Sequence, residues 1–333
     1  MTLRIILTRE SEWPDDQGRA HRSVDELAAA LRAAGQRVRI LDWARSSRWS
    51  TFAYAAVARA DVWHATGWTD ATAAAVAGTV RPGLCSVFTN SGFCERATRT
   101  RVKRAVETVV AKRIDHYVCV SDATARSYRD CHPKGREPVV IPPGIDVRRF
   151  DPSARRHPTP ALLYAADAAD SHANLPLLLD GLAMLRWRRP DIELWLAGPG
   201  RQGDVVAAAQ PAAKDGTTLL GQLDADAMAD LFGRAWVTVL PAEREPSGRV
   251  LIESLASGTP IVALDGGGPA EIVRPGLGFT SGRTAAGLAD ACEAAVELAQ
   301  HPGVPADCRA AAWTWDWATA IVPRLLRLYH HQV

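Results

Sequence analysis

Short apolar runs alternate with amphipathic helical stretches along nearly the whole chain, and that alternation limits the fold more than any other feature. It is the pattern of parallel sheets covered by helices. Arg4–Thr8 reads as a strand, and a helix over Ser23–Ala34 carries Val24, Leu27, Ala28 and Leu31 at helical spacing before Gly35 stops it. Strands follow at Val38–Leu41, Val62–His64 and Ser86–Thr89, then a basic helix over Arg101–Lys112. Tyr117–Val120 is a strand opening onto Ser121-Asp122, a helix N-cap. Prolines flank a glycine turn at Pro142-Pro143-Gly144, and a polar Ser/Arg/Pro stretch runs on to Pro160, the best linker in the chain.

A second series begins at Leu162-Leu163-Tyr164. It holds a helix over Leu175–Leu185, the strand Glu193–Ala197, the turn Gly198-Pro199-Gly200, the strand Thr218–Leu220 and a helix over Ala225–Gly233. The strand Val237–Leu240, a helix-like apolar run ending at Gly258, the strand Ile261–Leu264, a loop over Gly266–Val273 and a helix over Ala285–Ala299 complete it. The tail Trp313–His331 reads as helical apart from Pro323. The expectation is α/β: two Rossmann-like domains, 1–150 and 151–312, facing each other across a cleft, with ligands at the carboxyl ends of strands.

The chain has 333 residues, which suits about two domains. A net charge of +2 is too small to argue for nucleic acid. None of the six cysteines stands in Cys-x-x-Cys spacing, so no metal is expected. Met1–Arg9 reads as a first strand rather than a signal peptide, and no apolar run reaches the length of a membrane span. Reduced thiols and these absences together suit the cytoplasm.

The chemistry concentrates in Glu245-Pro246-Ser247-Gly248-Arg249-Val250-Leu251-Ile252-Glu253. One carboxylate lies in a Pro/Gly turn, and the second lies about one and a half turns into the helix that the turn feeds. Unpaired backbone N–H groups at a helix start suit an anion. A carboxylate accepts two hydrogen bonds from a diol. Amides for phosphate, one acid for sugar hydroxyls and one for ribose hydroxyls are the fittings that grip a sugar nucleotide.

This segment resembles the Glu-x7-Glu signature of retaining nucleotide-sugar glycosyltransferases with the GT-B fold, of the group 1 or family 4 type. The resemblance covers nearly the whole chain. Gln17-Gly18 before the first helix looks like the family's glycine loop. Asp61–Ala65 and Asp115–Ser121 look like its first-domain strand ends, and Ile141–Phe150 like the end of that domain. Gly198 and Gly221 fall in loops that line the nucleotide base. Trp313–Trp317 resembles the closing segment through which the last helix, 313–333, returns to the first domain, with the tryptophans as packing. The resemblance implies that Glu253 holds the ribose diol. It implies that Glu245 holds donor-sugar hydroxyls, helped by backbone N–H groups from Gly248 through Arg249 to Val250. No side chain stands out as a nucleophile, and His64 is the candidate general base. The implied reaction moves a hexose-like group from a nucleotide diphosphate sugar to a small-molecule or short-glycan acceptor, without metal. Donor base, sugar, acceptor and oligomeric state stay open. Acceptor recognition falls to the loops 10–22, 67–71 and 92–101.

The chain also departs from the family pattern. Ala166 and Ala173 stand where the family places the Arg and Lys that neutralise the donor diphosphate, with Asp167 and Asp170 nearby, and Ser91 replaces a first-domain histidine. A diphosphate leaving group needs positive charge or dipoles. Substitute cations (Arg249 first, then Arg244, Arg19 and His172), helix N-termini alone, or a sugar-nucleotide-binding homologue with weak turnover that partners an active transferase are the three ways to read this. Arg249, inside the turn motif, is the preferred candidate for the phosphates.

Overall fold

A computed structural model describes residues 2–9, 17–42, 59–94, 100–152, 155–166, 171–200 and 202–330. The packing divides the chain into two compact units, Met1–Asp146 with Trp315–Val333, and Val147–Thr314.

The first unit is built on strands β1 (Arg4–Arg9), β2 (Arg37–Asp42), β3 (Val62–Ala65), β4 (Cys85–Asn90), β5 (His116–Cys119) and β6 (Val139–Val140). They form one sheet in the order β2-β1-β3-β4-β5-β6, and every pairing is parallel. The period of two along β1 sorts its side chains to two faces. Leu3, Ile5 and Leu7 join Val24, Leu27, Ala28 and Leu31 of the helix Gln17–Ala33, and Ile321, Val322, Leu325 and Tyr329 of the tail. Ile6 points the other way, into a core with Trp63, Val110, Ala111, Ile114 and Tyr117.

The helix Trp68–Val80 packs on that second face. Gly67–Ala71, read from sequence as an acceptor loop, is therefore the start of a helix. Its alanines have the highest helix propensity, but they carry too little apolar contrast to show a period. Ser121 caps the helix Asp122–Cys131 through a reciprocal pair with Thr124. Trp315 and Trp317 are buried, and Trp317 donates from Nε1 to Glu26 Oε2 at 3.3 Å, so these two tryptophans pack. The tail breaks into a 3-10 turn (Trp313–Trp315), a π turn (Trp317–Ile321) and the α-helix Val322–His330.

The second unit holds β7 (Ala161–Ala165), β8 (Glu193–Ala197), β9 (Thr217–Gly221), β10 (Val237–Leu240), β11 (Ile261–Leu264) and β12 (Gly278–Ser281). They form a second parallel sheet in the order β12-β11-β10-β7-β8-β9. Strands β7, β10 and β11 are buried along their whole length, as expected where helices cover both faces. The expected loop over Gly266–Val273 contains a short helix, Gly267–Ile272. The polar stretch before Pro160 is tied to its own unit. Arg156 donates to the carbonyls of Gly258 and Ala299, and Trp236 donates from Nε1 to the carbonyl of His157 at 2.8 Å. Among the described residues no helix is long and apolar enough to cross a membrane, and all six cysteines are free thiols.

Candidate functional site

The carboxyl ends of β7, β8, β9, β10 and β11 share one edge of the second sheet, and the residues singled out from sequence gather there. β10 leads into the turn at Glu245–Gly248, which feeds the helix Arg249–Ala256. Gly248 stands at the N-cap with φ 66° and ψ 33°, a left-handed conformation that costs glycine little. It has no side chain with which to cap the helix, and Glu245 does so instead. Glu245 Oε1 accepts from Ser247 N (3.0 Å), Ser247 Oγ (3.1 Å) and Gly248 N (3.0 Å). A carboxylate at a helix start is doubly favoured, by hydrogen bonds to orphan amides and by the helix dipole. Its Oε2 takes no hydrogen bond among the described residues. The turn rests on the next helix, where Gly268 N donates to Glu245 O at 3.1 Å and a side chain at Gly268 would collide with the carbonyl of Pro246.

Arg249 and Glu253 are partners one helical turn apart. Arg249 Nε lies 2.9 Å from Glu253 Oε1, and each side chain is about four-fifths buried, at 19% and 18% exposure. The expectation had each serve the ligand independently, the Arg at phosphate and the Glu at ribose. In the structure they form one neutral pair whose second carboxylate oxygen, Glu253 Oε2, accepts no hydrogen bond among the described residues. Val250 follows in the first turn, where backbone N–H groups point along the helix axis.

The loop after β7 is stitched to this turn. Glu243 N donates to His172 O at 3.0 Å, and Asn174, the one described non-glycine residue with positive φ (55°), donates from Nδ2 to Glu243 Oε1 at 3.3 Å. Ala166 and Ala173 are buried and bring no charge to this edge. His172 and Arg244 are exposed beside it. Asp167 and Asp170 lie outside the described residues, as does the side chain of Arg19.

Gly198, just past β8, donates from N to Gly221 O at 2.8 Å. Both adopt positive φ, 134° and 64°. A side chain at Gly198 would meet the carbonyl of Ala166. Gly198→Ala therefore combines a strained backbone with a steric collision. The expected loss is about 1–3 kcal/mol of stability, read as a lower urea midpoint at unchanged slope. A midpoint equal to that of the wild type would show that this loop is not held as described.

The first unit places its candidates differently. His64 is 1% exposed. Its Nδ1 lies 2.6 Å from Tyr329 Oη and its Nε2 lies 2.6 Å from Thr89 Oγ1. Both ring nitrogens are thus engaged inside the sheet's core, and burial pulls the pKa down to about 4 from 6.5. This corrects the expectation of a general base. The alternation along β3 that carries Val62 into the core carries His64 onto the same face, against the tail helix. A histidine held neutral by folding is protonated more readily once unfolded. Stability from this source is complete above about pH 6.5 and is lost as pH falls towards 4, by about 3 kcal/mol. Replacing His64 by Gln should flatten that part of the stability profile in pH-dependent urea titrations, and an unchanged slope would refute the burial argument.

Gly18 falls in the first turn of the helix Gln17–Ala33 rather than in a loop before it. Ser91 is exposed after β4. Two contributors went unread in the sequence, Ser247, which orients Glu245, and Asn174, which ties two loops together. Ser247 carried a signal in its Pro-Ser-Gly turn context, and Asn174 in its position just before a Leu-Pro helix start. Among the described residues, no three His, Cys, Asp or Glu side chains are grouped as metal ligands.

Comparison with known proteins agrees with this fold. A family model described as "Glycosyl transferases group 1" matches residues 159–298, and one described as "Glycosyltransferase Family 4" matches residues 41–149. A glycogen synthase of Mycobacterium tuberculosis is 31% identical over 214 residues, covering 62% of this chain and 51% of that protein. A D-inositol 3-phosphate glycosyltransferase of Pseudarthrobacter chlorophenolicus is 34% identical over 219 residues, covering 58% and 50%. The chain thus spans about half the length of these curated relatives. Among solved structures, the sucrose-phosphate synthase of Thermosynechococcus elongatus matches with a TM-score of 0.79 at 20% identity, covering 99% of this chain and 98% of that one. Anabaena HepE, solved with UDP and glucose, matches with a TM-score of 0.74 at 18% identity, covering 98% of each chain. The shared architecture is the GT-B fold.

Proposed function

Because this chain belongs to the group 1, family 4 glycosyltransferases, we propose that it moves a hexose-like sugar from a nucleotide diphosphate sugar to a small-molecule or glycan acceptor, with the anomeric configuration kept. The observation that carries this reading is the grouping of Glu245, Arg249 and Glu253 on one turn and helix start at the carboxyl edge of the second sheet. The capture of UDP and glucose by HepE, a protein of the same fold, supports a nucleotide-sugar donor.

In this proposal Glu253 accepts the ribose diol through Oε2 while Oε1 keeps Arg249 oriented. The guanidinium and the first-turn amide of Val250 face the diphosphate, supplying charge and dipole where the leaving group becomes negative. Glu245, held in place by Ser247 and Gly248, presents Oε2 to hydroxyls of the donor sugar. No side chain is required as a nucleophile. The leaving phosphate takes the acceptor proton on the face from which it departs, so catalysis rests on orientation and electrostatics. His64, buried and bonded at both nitrogens, has no part in the proton transfer.

The test begins with a thermal-shift screen of UDP, GDP, ADP, TDP and CMP, since a ligand that binds only the folded state raises its stability. The best nucleotide's sugar conjugates are then offered with acceptor panels, and the anomeric configuration of the product is read by NMR. An inverted product removes the retaining assignment. Tight binding with no transfer or donor hydrolysis removes the enzyme assignment.

A further inference from the structure

We propose that Tyr329, acting through His64, makes Thr89 a hydrogen-bond donor to the acceptor substrate, an inference that rests on the glycosyl transfer argued above. The three side chains come from the helix Val322–His330, from β3 and from β4, all within the first unit. Alternation puts His64 on the face of Val62 and Thr89 on the face of Val87, the face against which Val322, Leu325 and Tyr329 pack. Tyr329 Oη lies 2.6 Å from His64 Nδ1, and His64 Nε2 lies 2.6 Å from Thr89 Oγ1. The chain of bonds thus begins at a phenol with 0% exposure and ends at a half-buried hydroxyl near the carboxyl end of β4.

The direction of the two bonds follows from the protons available. Burial keeps His64 neutral near neutral pH, with a pKa of about 4, so one ring nitrogen carries a proton and the other a lone pair. Burial also raises the pKa of Tyr329, so the phenol keeps its proton. That proton has one acceptor among the described residues, His64 Nδ1. A proton already on Nδ1 would leave the phenol O–H buried and unpaired, the unfavourable arrangement. Tyr329 therefore donates to Nδ1, the imidazole proton sits on Nε2, and Nε2–H donates to Thr89 Oγ1. Thr89 Oγ1 makes no other hydrogen bond among the described residues. Its own proton cannot point at Nε2–H, and it is left for whatever meets the hydroxyl from outside.

Without the phenol, the imidazole proton would be free to sit on either nitrogen, and Thr89 would donate its own proton to a bare Nε2. The fixed tautomer removes that competition. Thr89 is the last residue of β4 on this face, ahead of the turn in which Gly92 N donates to Asn90 Oδ1 at 3.2 Å. Open parallel sheets meet their ligands at this edge. The nucleotide sugar is assigned to the second unit, so the substrate left for the first unit's edge is the acceptor. An oriented O–H suits a lone pair on oxygen, which an alcohol and a phosphate ester both supply. Tyr329 and His64 are positioning residues, and Thr89 alone touches the substrate.

The tautomer is read at neutral pH from long-range proton–nitrogen NMR correlations in protein labelled at histidine nitrogen, the His64 signals being those that Tyr329→Phe and His64→Gln alter. The expected result is a proton on Nε2 in the wild type and a population shared between both nitrogens in Tyr329→Phe. Initial rates are then taken with the nucleotide sugar that the thermal-shift screen selects and with two acceptors of different chemistry, maltotriose and glucose 6-phosphate. Thr89→Val should raise the acceptor KM about three- to ten-fold with kcat and the donor KM little changed, and Thr89→Ser should recover most of that loss. Tyr329→Phe should raise the same KM by less, and should add nothing in the Thr89→Val background, because it acts only through that hydroxyl. A tyrosine that merely packs would exact its loss in both backgrounds. Melting temperatures confirm that each variant is folded, and the wild-type tautomer is read whether or not they are. The proposal is overturned by a proton on Nδ1 in the wild type, by an acceptor KM that Thr89→Val leaves unmoved, by additive losses in the double variant, or by transfer to neither acceptor while the donor is still hydrolysed. Failure of the glycosyl-transfer assignment itself looks different, as a wild type that neither binds a nucleotide nor hydrolyses its sugar conjugate.

Discussion

Arg249→Ala should lower turnover of the donor by about 100- to 1,000-fold, the loss typical when one donor to a developing negative charge is removed. The expectation rests on the reading that Ala166 and Ala173 stand in place of phosphate-binding cations, and both are buried here without charge. Arg249 stands at the start of the helix, and its guanidinium is held by Glu253 at 2.9 Å. A rival explanation is that Arg249 serves only to neutralise Glu253. The double variant separates the two. If neutralisation is the whole role, removing Arg249 has no further effect once Glu253 is Ala. If Arg249 meets the diphosphate, a large loss persists in that background. Arg249→Lys should recover part of the rate, because it restores charge but not the planar fork. Wild-type turnover in Arg249→Ala would dismiss the assignment.

Glu253→Ala should weaken donor binding about ten- to a hundred-fold, the equivalent of one charge-assisted hydrogen bond of roughly 1.5–3 kcal/mol. The Oε2 oxygen is the part of the carboxylate left for a ligand once Oε1 has taken Arg249. A nucleotide probe tests this directly. Wild-type protein should bind a nucleoside diphosphate better than its 2′-deoxy analogue, and in the variant the two should bind alike. Unchanged affinity for the ribonucleotide in Glu253→Ala would place the ribose elsewhere.

How much of this was readable in advance depends on the range of the interaction concerned. The strands Glu193–Ala197, Val237–Leu240 and Ile261–Leu264 and the helix Ala285–Ala299 stand where their local patterns predicted, because each is a compact run of strand- or helix-forming residues bounded by breakers. The helix Trp68–Val80 was missed because alanine fills a helix without marking a face. β12, only four residues long and begun by glycine, has no pattern of its own and exists through its pairing with β11.

The order of apolar runs and the turn before Arg249 determined by themselves that this chain builds two parallel α/β sheets and sets two acids and an arginine at one strand end. Those are local properties, written in spacings of two to eight residues. Tertiary structure alone decided what each side chain does. It buried His64 between Thr89 and Tyr329, the latter 265 residues away along the chain. The physical reason is that a charge or a ring nitrogen takes its function from the partner and the solvent it meets, and both are set by chain segments too distant for any local pattern to record.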